Sequence, residues 1–412
     1  METNHHISRI PKAFLSFIKK ETVLSLSILL AIISAFMIRP DREYIEYTDY
    51  RTIALLFSLM VVVAGLRNQG ALSIMGRALI SKANSKFKIV LVLVLLCFFF
   101  SMLITNDVAL ITFVPFAVVI MDMLGTQIRK ELLLSVIAMQ TIAANLGSML
   151  TPLGNPQNLY LYGLSGLSLS KFMLLMLPYT IAALILLVIW ALFLCIRPTG
   201  LFKGKLAGSR HKVHTDKLME IPDEAVTIDK IELTSSFKVE SKLMTISYVL
   251  LFLLCILTVA RIVFYPITFV VVLLFAAITD RKSLEMVDYS LLFTFIALFV
   301  FIGNLSRIPA FSSLIDGLLT GHEVIAAVIA SQVTSNVPAA ILLSGFTDKI
   351  DQLIIGTNLG GLGTLIASMA SLISFRQIAK AENSGKPKYF LIFTVSNIVF
   401  LIALSALWWM IK

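Results

Sequence analysis

Residues 87–124 form an apolar run long enough to cross a bilayer twice, and its middle reads Thr105-Asn106-Asp107. The stretch before the break, 87–103, carries one charge, Lys88, and the stretch after it, 108–120, carries none. An acidic, amide-bearing break at that depth is costly in lipid, so it needs a partner or a purpose. A second break, Thr334-Ser335-Asn336, sits in an equivalent place in the other half. The two read as the tips of one membrane-buried binding site.

Runs of this kind exclude a soluble domain. Of the 412 residues 58% are hydrophobic and 14% are charged, where a soluble chain carries about 25% charge. Several other stretches approach the roughly 20 apolar residues that a spanning helix needs. They are continuous rather than alternating, which excludes a β-barrel. The expected fold class is an all-α polytopic membrane protein of the cell (inner) membrane.

The net charge of +10 does not point to nucleic acid, because the bases gather in loops and orient the spans. Segment 1–21 is polar and basic, and the first apolar run after it reads as a retained span, not a cleaved signal. Segment 67–88 holds five bases and no acid, whereas 39–51 holds four acids and three bases. The N-terminus and 67–88 are therefore expected in the cytoplasm and 39–51 outside. Cys97, Cys195 and Cys255 lie in or beside apolar runs and read as packing residues. The five histidines form no metal-ligand pattern, so metal catalysis has no support.

The chain divides into a cytoplasmic N-terminus (1–21), a first membrane repeat (22–196), a cytoplasmic linker loop (197–242) and a second membrane repeat (243–412). In the first, spans at 23–38 and 53–66 lead through an interfacial stretch, 70–82, to a hairpin at 87–124. A broken helix at 131–163 and a plain span at 172–196 follow. In the second, spans lead to a hairpin at 324–345, a broken helix at 353–374 and a last span at 389–410, which leaves the C-terminus outside. Two readings of the first hairpin compete, two full spans joined by a loop at Thr105 or a re-entrant hairpin. The re-entrant one fits better because Thr-Asn-Asp is a very short connector without basic or aromatic anchors, and irregular backbone is tolerated at depth only under cover of protein or a cavity. The broken stretches concentrate glycine, proline and amides, among them Asn145-Leu146-Gly147, Thr151, Pro152, Asn155 and Pro156 in one and Asn358-Leu359-Gly360 and Thr364 in the other. Proline there removes helix hydrogen bonds.

The halves overlay. Asn145-Leu146-Gly147 matches Asn358-Leu359-Gly360, Thr151 matches Thr364 at the same offset, and Thr105-Asn106 matches Ser335-Asn336. Loop charges place the ends of the first hairpin inside and those of the second outside, so the repeats are expected to be inverted. Inverted repeats with discontinuous helices mark secondary transporters, with the site at their interface near the midplane.

Paired hairpin tips, each followed by an Asn-Leu-Gly break, resemble the ion transporter superfamily. That group includes the citrate and dicarboxylate permeases of the divalent anion/sodium symporter family, arsenite efflux permeases and one family of sodium/proton antiporters. The resemblance covers nearly the whole chain. In the dicarboxylate carriers each tip reads Ser-Asn-Thr; Thr105-Asn106-Asp107 and Ser335-Asn336-Val337 match the first two positions in type and depart at the third. The resemblance implies a homodimer in which a transport domain moves against a scaffold and carries the site across.

The residue types suggest the chemistry. Unwound carbonyls with Asn and Ser side chains suit Na⁺, and free N–H groups at half-helix starts favour an anion. Asn106 with Asn145 and Gly147 forms one candidate cation site, and Asn336 with Asn358 and Gly360 the other. Thr105, Asn106, Asp107, Asn155, Ser335, Asn336 and Thr364 are the candidate substrate residues. Asp107 either caps the helix that follows it or binds a cation or carries a proton. In the second case it must be neutralised before an anion binds, which couples the two fluxes. No Lys or Arg lies at a tip or break, so neutral donors and a co-bound cation are left to hold the anion.

The function expected is cation-coupled secondary transport of a small anion, a carboxylate such as citrate or a dicarboxylate, driven by Na⁺ or H⁺ and needing no other cofactor. Arsenite efflux and sodium/proton antiport are the alternatives. A membrane enzyme would need a nucleophile with a base, or a metal set, at the midplane, and the buried segments offer no His. A channel would differ in lacking saturable, uphill flux.

Overall fold

The computed structural model describes residues 18, 21–81, 83, 85–196, 241–381 and 385–412. Nearly all of the segment 1–21 and of the linker 197–242 lies outside the described residues. Every regular element described is helical, and eight helices are long and apolar enough to cross a membrane.

In the first half, α1 (Thr22–Met37) is joined by the short α2 (Glu43–Glu46) to α3 (Tyr50–Asn68). The ten-residue α4 (Ala71–Ile80) follows and buries one face, Leu72, Gly76 and Ile80, against the bundle. Then α5 (Lys86–Ile104) and α6 (Asn106–Met123) meet at a single residue, Thr105. The next helix, α7 (Thr126–Ser148), breaks at 149–155 and resumes as α8 (Pro156–Ser165), before the long α9 (Leu169–Ile196).

The second half opens with α10 (Lys242–Val259), α11 (Tyr265–Thr279), the short α12 (Arg281–Glu285) and α13 (Tyr289–Ser306). After α14 (Pro309–Leu319), α15 (Glu323–Thr334) and α16 (Asn336–Ser344) meet at Ser335. The broken pair is α17 (Ile350–Gly360) and α18 (Met369–Ala381), and α19 (Lys386–Ile411) closes the chain. Three membrane-length or near-length helices thus precede the second hairpin where two precede the first. Aligning each short helix before a hairpin, α4 with α14, pairs α3 with α13 and α1 with α11 and leaves α10 without a counterpart.

Helix α7 is the interior of the bundle. Of its most apolar stretch 89% is buried, against 28% for α10 and 22% for α19, which turn most of their surface outward. Its polar residues find partners there: Gln140 donates to the carbonyl of Leu93 on α5 at 3.1 Å and to that of Phe113 on α6 at 3.3 Å, tying both hairpin arms to one helix. Buried glycines let backbones approach. A Cβ on Gly147 would lie 2.0 Å from the carbonyl oxygen of Phe98, and one on Gly360 would lie 2.6 Å from the hydroxyl of Ser331. Phe98 and Ser101 precede their tip as Val328 and Ser331 precede theirs, so each break is nested against the incoming arm of its own hairpin.

Side-chain and backbone bonds tie the connecting segments together in two groups. In one, Arg307 bonds Asp41 at 2.8 Å and the Tyr47 hydroxyl at 2.9 Å, and Arg261 donates to the carbonyl of Tyr162 at 3.2 Å. In the other, the Ser241 N–H donates to Gln69 at 3.1 Å, Ser290 to Glu21 at 2.7 Å, and Tyr248 to Asp280 at 2.8 Å. No contact among these joins a segment expected inside to one expected outside.

Because Gly147 faces backbone rather than a flexible side chain, a methyl group there forces α7 and α5 apart. Overpacking of this kind costs about 1–3 kcal/mol. Gly147→Ala should lower the unfolding midpoint of the detergent-solubilised protein, measured by intrinsic fluorescence on heating, while Gly166→Ala, with nothing within 4 Å of the added carbon but a φ of +65°, reports backbone strain alone. A midpoint for Gly147→Ala equal to wild type would mean that the two helices do not touch there.

Candidate functional site

Both hairpin tips hold the same unusual backbone. Thr105 has φ 71° and ψ 149°, and Ser335 has φ 76° and ψ 154°. This region is nearly reserved for glycine and costs other residues roughly 1–3 kcal/mol. The surroundings hold it in place. The N–H of Asn106 donates to the carbonyl of Gly154 at 3.0 Å, and the N–H of Asn336 donates to that of Ala367 at 2.9 Å. Each tip is thereby hydrogen-bonded to the break of its own half.

The pattern recurs at other offsets. The Thr151 hydroxyl donates to the carbonyl of Met102, three residues before the first tip. The Thr364 hydroxyl donates to that of Gln332, three before the second, at 3.3 Å. Helix ends inside the bundle leave carbonyls that must be satisfied. In the first break Asn158 does this, donating to Ser148 and Thr151 at 3.3 and 3.2 Å. In the second Gln332 does it, donating to Gly360 and Leu362 at 3.0 and 2.9 Å.

The asparagines of the Asn-Leu-Gly triplets cross between halves. Asn145 accepts from Asn106 at 3.1 Å and from the Ser368 hydroxyl of the other half at 3.0 Å. Asn358 accepts from Asn155 at 3.2 Å and donates to Asn158 at 2.6 Å, both of the first half. Asn155 and Ser368 stand ten residues beyond Asn145 and Asn358 respectively, so the exchange is reciprocal. All of these side chains are buried.

The tips border two neighbouring cavities. One, of about 150 Å³, is lined by Thr105, Asp107 and Asn155 together with Arg67 and Asp288. The other, of about 120 Å³, is lined by Ser335 and Pro338 together with Glu21, Ser290 and Arg376. Leu291 and Met369 belong to both walls, so the tips share a partition and do not stand on opposite surfaces. In the wall of the first cavity Oδ1 of Asp107 and Oδ1 of Asn155 are buried acceptors without a hydrogen-bond partner. Asp288 caps α13, accepting from the N–H of Leu291 at 3.0 Å. Burial lifts its carboxyl above the usual range, the Leu291 N–H opposes the shift and the Glu21 charge adds to it.

Of the residues singled out from sequence, Thr105, Asp107 and Asn155 line the first cavity and Ser335 the second. Asn106, Asn145 and Asn358 lie in the amide network behind them, with Asn336 packed beside Gly361, where an added Cβ would meet its amide nitrogen at 3.0 Å. Gly147 and Gly360 are close-approach positions, and the carbonyl of Gly360 is occupied by Gln332. Thr364 is exposed and bonded to Gln332, apart from the amide network. Sequence reasoning missed Arg67, Asp288 and Ser368. The offset of ten from Asn358 marks Ser368; nothing local marks Arg67 or Asp288, which reach the tip only through packing of α3 and α13. Among the described residues no group of three His, Cys, Asp or Glu is placed to hold a metal ion.

Known transporters are similar to this chain over most of its length. The pattern of the citrate transporter family, CitMHS, matches residues 13–351. An uncharacterized transporter of Methanocaldococcus jannaschii is 33% identical over 356 residues, 86% of this chain and 87% of that protein. An inner membrane protein of Escherichia coli is 28% identical over 367 residues, 88% of this chain and 89% of that protein. A silicon efflux transporter of Oryza sativa is 31% identical over a shorter stretch, 136 residues, 33% of this chain and 27% of that protein. With multiple membrane-length helices, buried tips on shared cavities and a family match over most of its length, the chain is a multi-pass membrane transporter that belongs to the citrate transporter family.

Proposed function

We propose that the protein is a cation-coupled secondary transporter of a small anion, a carboxylate of the citrate or dicarboxylate class, working by alternating access of the elevator type. The observation that carries the reading is the wall of the first cavity: two buried acceptor oxygens without partners, on Asp107 and Asn155, facing a half-buried Arg67. Counting Asp107, Asp288 and Arg67, the wall is formally negative by one charge. A cation, Na⁺ or H⁺, binds there readily, and an anion binds only after it, which is the ordering that couples two fluxes. Arg67 then offers the planar donor set that carboxylates prefer, a role the tips and breaks themselves leave unfilled.

Geometry supports the movement. The arms of the second hairpin have 12 and 9 residues, about 18 and 14 Å at 1.5 Å per residue, too short for a core about 30 Å thick. A re-entrant hairpin fits that length, whereas the arms of the first hairpin, 19 and 18 residues, are each long enough to cross. The recurrence of tip, threonine and asparagine bonds at matching offsets supports two repeats, and the loop charges support their inversion. Both cavities are bordered by residues of the basic face, Arg67, Glu21 and Arg376, as an inward-facing state would have them. The tips would then travel with α7 and α17 against α3 and α13, in a homodimer of the inner membrane with the N-terminus inside and the C-terminus outside. A second reading, arsenite efflux or sodium/proton antiport, is favoured by one feature, the unpaired carboxylate at the first tip.

Uptake into proteoliposomes under imposed Na⁺ or H⁺ gradients tests the reading. Citrate or succinate uptake should saturate and run uphill on one of the two gradients. A thermal-shift panel of citrate, succinate, sulfate and arsenite, with and without Na⁺, should show cation-dependent stabilisation by a carboxylate; stabilisation by arsenite alone would favour the second reading. Asp107→Asn should abolish gradient-driven uptake while leaving protein folded, and unchanged uptake would remove Asp107 from the mechanism. Arg67→Gln removes a charge-assisted hydrogen bond of about 1.5–3 kcal/mol. It should raise KM for the anion roughly 10–100-fold, by that same energy, with little change in expression; an unaltered KM would leave the anion without a fixed positive partner.

A further inference from the structure

One concavity lies apart from both tips and shares no lining residue with their cavities. It is a groove of about 920 Å³ between α7, α9 and α19, on the outer surface of the bundle. Its length is apolar, with Leu186, Trp190 and Phe193 on one side and Ile392, Val395 and Phe400 on the other. Phe193 and Val395 are 66% and 53% exposed, so the groove opens sideways, toward lipid. From Lys388 to Phe400 it follows α19 for about 18 Å at 1.5 Å per residue, close to the depth of one leaflet of a core about 30 Å thick.

One end of this groove is basic. Lys86, Lys130 and Lys388 line it, with Glu131 as the one acid. Glu131 is engaged by the Gln127 amide at 2.8 Å, and among the described residues none of the three lysines forms an ion pair. Lys86 and Lys388 lie in the first turns of α5 and α19 and Lys130 in the second turn of α7. Three positive helix ends therefore add to three ammonium groups. All three lysines fall in segments that the charge pattern assigns to the cytoplasm.

We propose that the groove is a binding site for an anionic phospholipid of the inner leaflet, its phosphate among Lys86, Lys130 and Lys388 and one acyl chain along α19 past Trp190. Charge and shape match that occupant at both ends: a basic mouth for the headgroup and an apolar trough of one leaflet's depth for the tail. A second copy of the chain fits less well, because a two-fold interface brings the same patch together and would set one lysine cluster against the other.

Trp190 supplies the probe. In a Trp408→Phe, Trp409→Phe background it is the one remaining tryptophan. Quenching of its fluorescence is measured in vesicles of phosphatidylcholine containing increasing fractions of brominated phosphatidylglycerol, or of brominated phosphatidylcholine. Half-maximal quenching should need roughly 100-fold less brominated phosphatidylglycerol, from the summed attraction of three lysines, and Lys86→Gln, Lys130→Gln and Lys388→Gln together should erase that preference. Equal quenching by the two lipids in the otherwise wild-type protein, or an undiminished preference in the triple variant, would overturn the proposal. So would efficient disulfide crosslinking of two chains through Phe193→Cys, which would put a second copy over the groove. Native mass spectrometry of the wild-type protein gives an arm that requires no variant: retained phosphatidylglycerol supports the site, and retention of zwitterionic lipid in equal amount counts against it.

Discussion

Irregular backbone inside a membrane survives only where protein supplies the hydrogen bonds that water cannot, and this constraint governs the centre of the molecule. Two helices break inside the bundle and two helix pairs turn at single residues, Thr105 and Ser335, leaving carbonyl and N–H groups in an apolar surround. The chain answers with amides. Asn158 and Gln332 collect freed carbonyls, the backbone carbonyls of Gly154 and Ala367 receive the tip N–H groups, and Asn145 and Asn358 tie one break to the other. Remove this set and each break becomes a cluster of unsatisfied groups costing several kcal/mol apiece. The polar residues that look like a binding site are, for the most part, first a structural repair.

That division of labour sharpens which groups are left for a solute. Most amide atoms near the tips are already engaged. The acceptors on Asp107 and Asn155, the hydroxyl of Thr105 and the guanidinium of Arg67 border open space. They come from four different places: the tip, the first turn of α6, the first break and α3. A site assembled this way changes shape whenever α3 shifts relative to the hairpin, which is a useful property in a carrier and a poor one in an enzyme that must hold reacting atoms still.

Much of the fold was legible in the chain because lipid leaves few options. Continuous apolar runs gave the helices, and a single polar residue between two of them, Thr105 or Ser335, gave the turns. Equal spacing from Asn145 to Thr151 and from Asn358 to Thr364 gave the correspondence between halves. The loop charges put 39–51 on the same side as the ends of the second hairpin, and Arg307, ahead of that hairpin, does meet Asp41. What local sequence withheld was anything set by packing between distant elements. Arg67 looks like an ordinary cytoplasmic-end arginine until α3 is laid beside the first tip. Asp288 looks like a helix cap, and is one, yet it also walls the cavity. Helix α10 is a plain apolar run; that it has no counterpart in the first half shows only when the short helices before the hairpins are aligned. Thr364, picked out by its matching offset, is matched for a different reason: like Thr151, it fastens a break to a hairpin arm.

The reciprocal amide exchange has an evolutionary corollary. Asn145 depends on Ser368, and Asn358 depends on Asn155 and Asn158, so a substitution in either half strands a donor or acceptor in its sibling. If the halves descend from one duplicated ancestor, they were free to drift apart in their loops and lipid-facing sides, but at these few positions each has acted as custodian of the other's residue type.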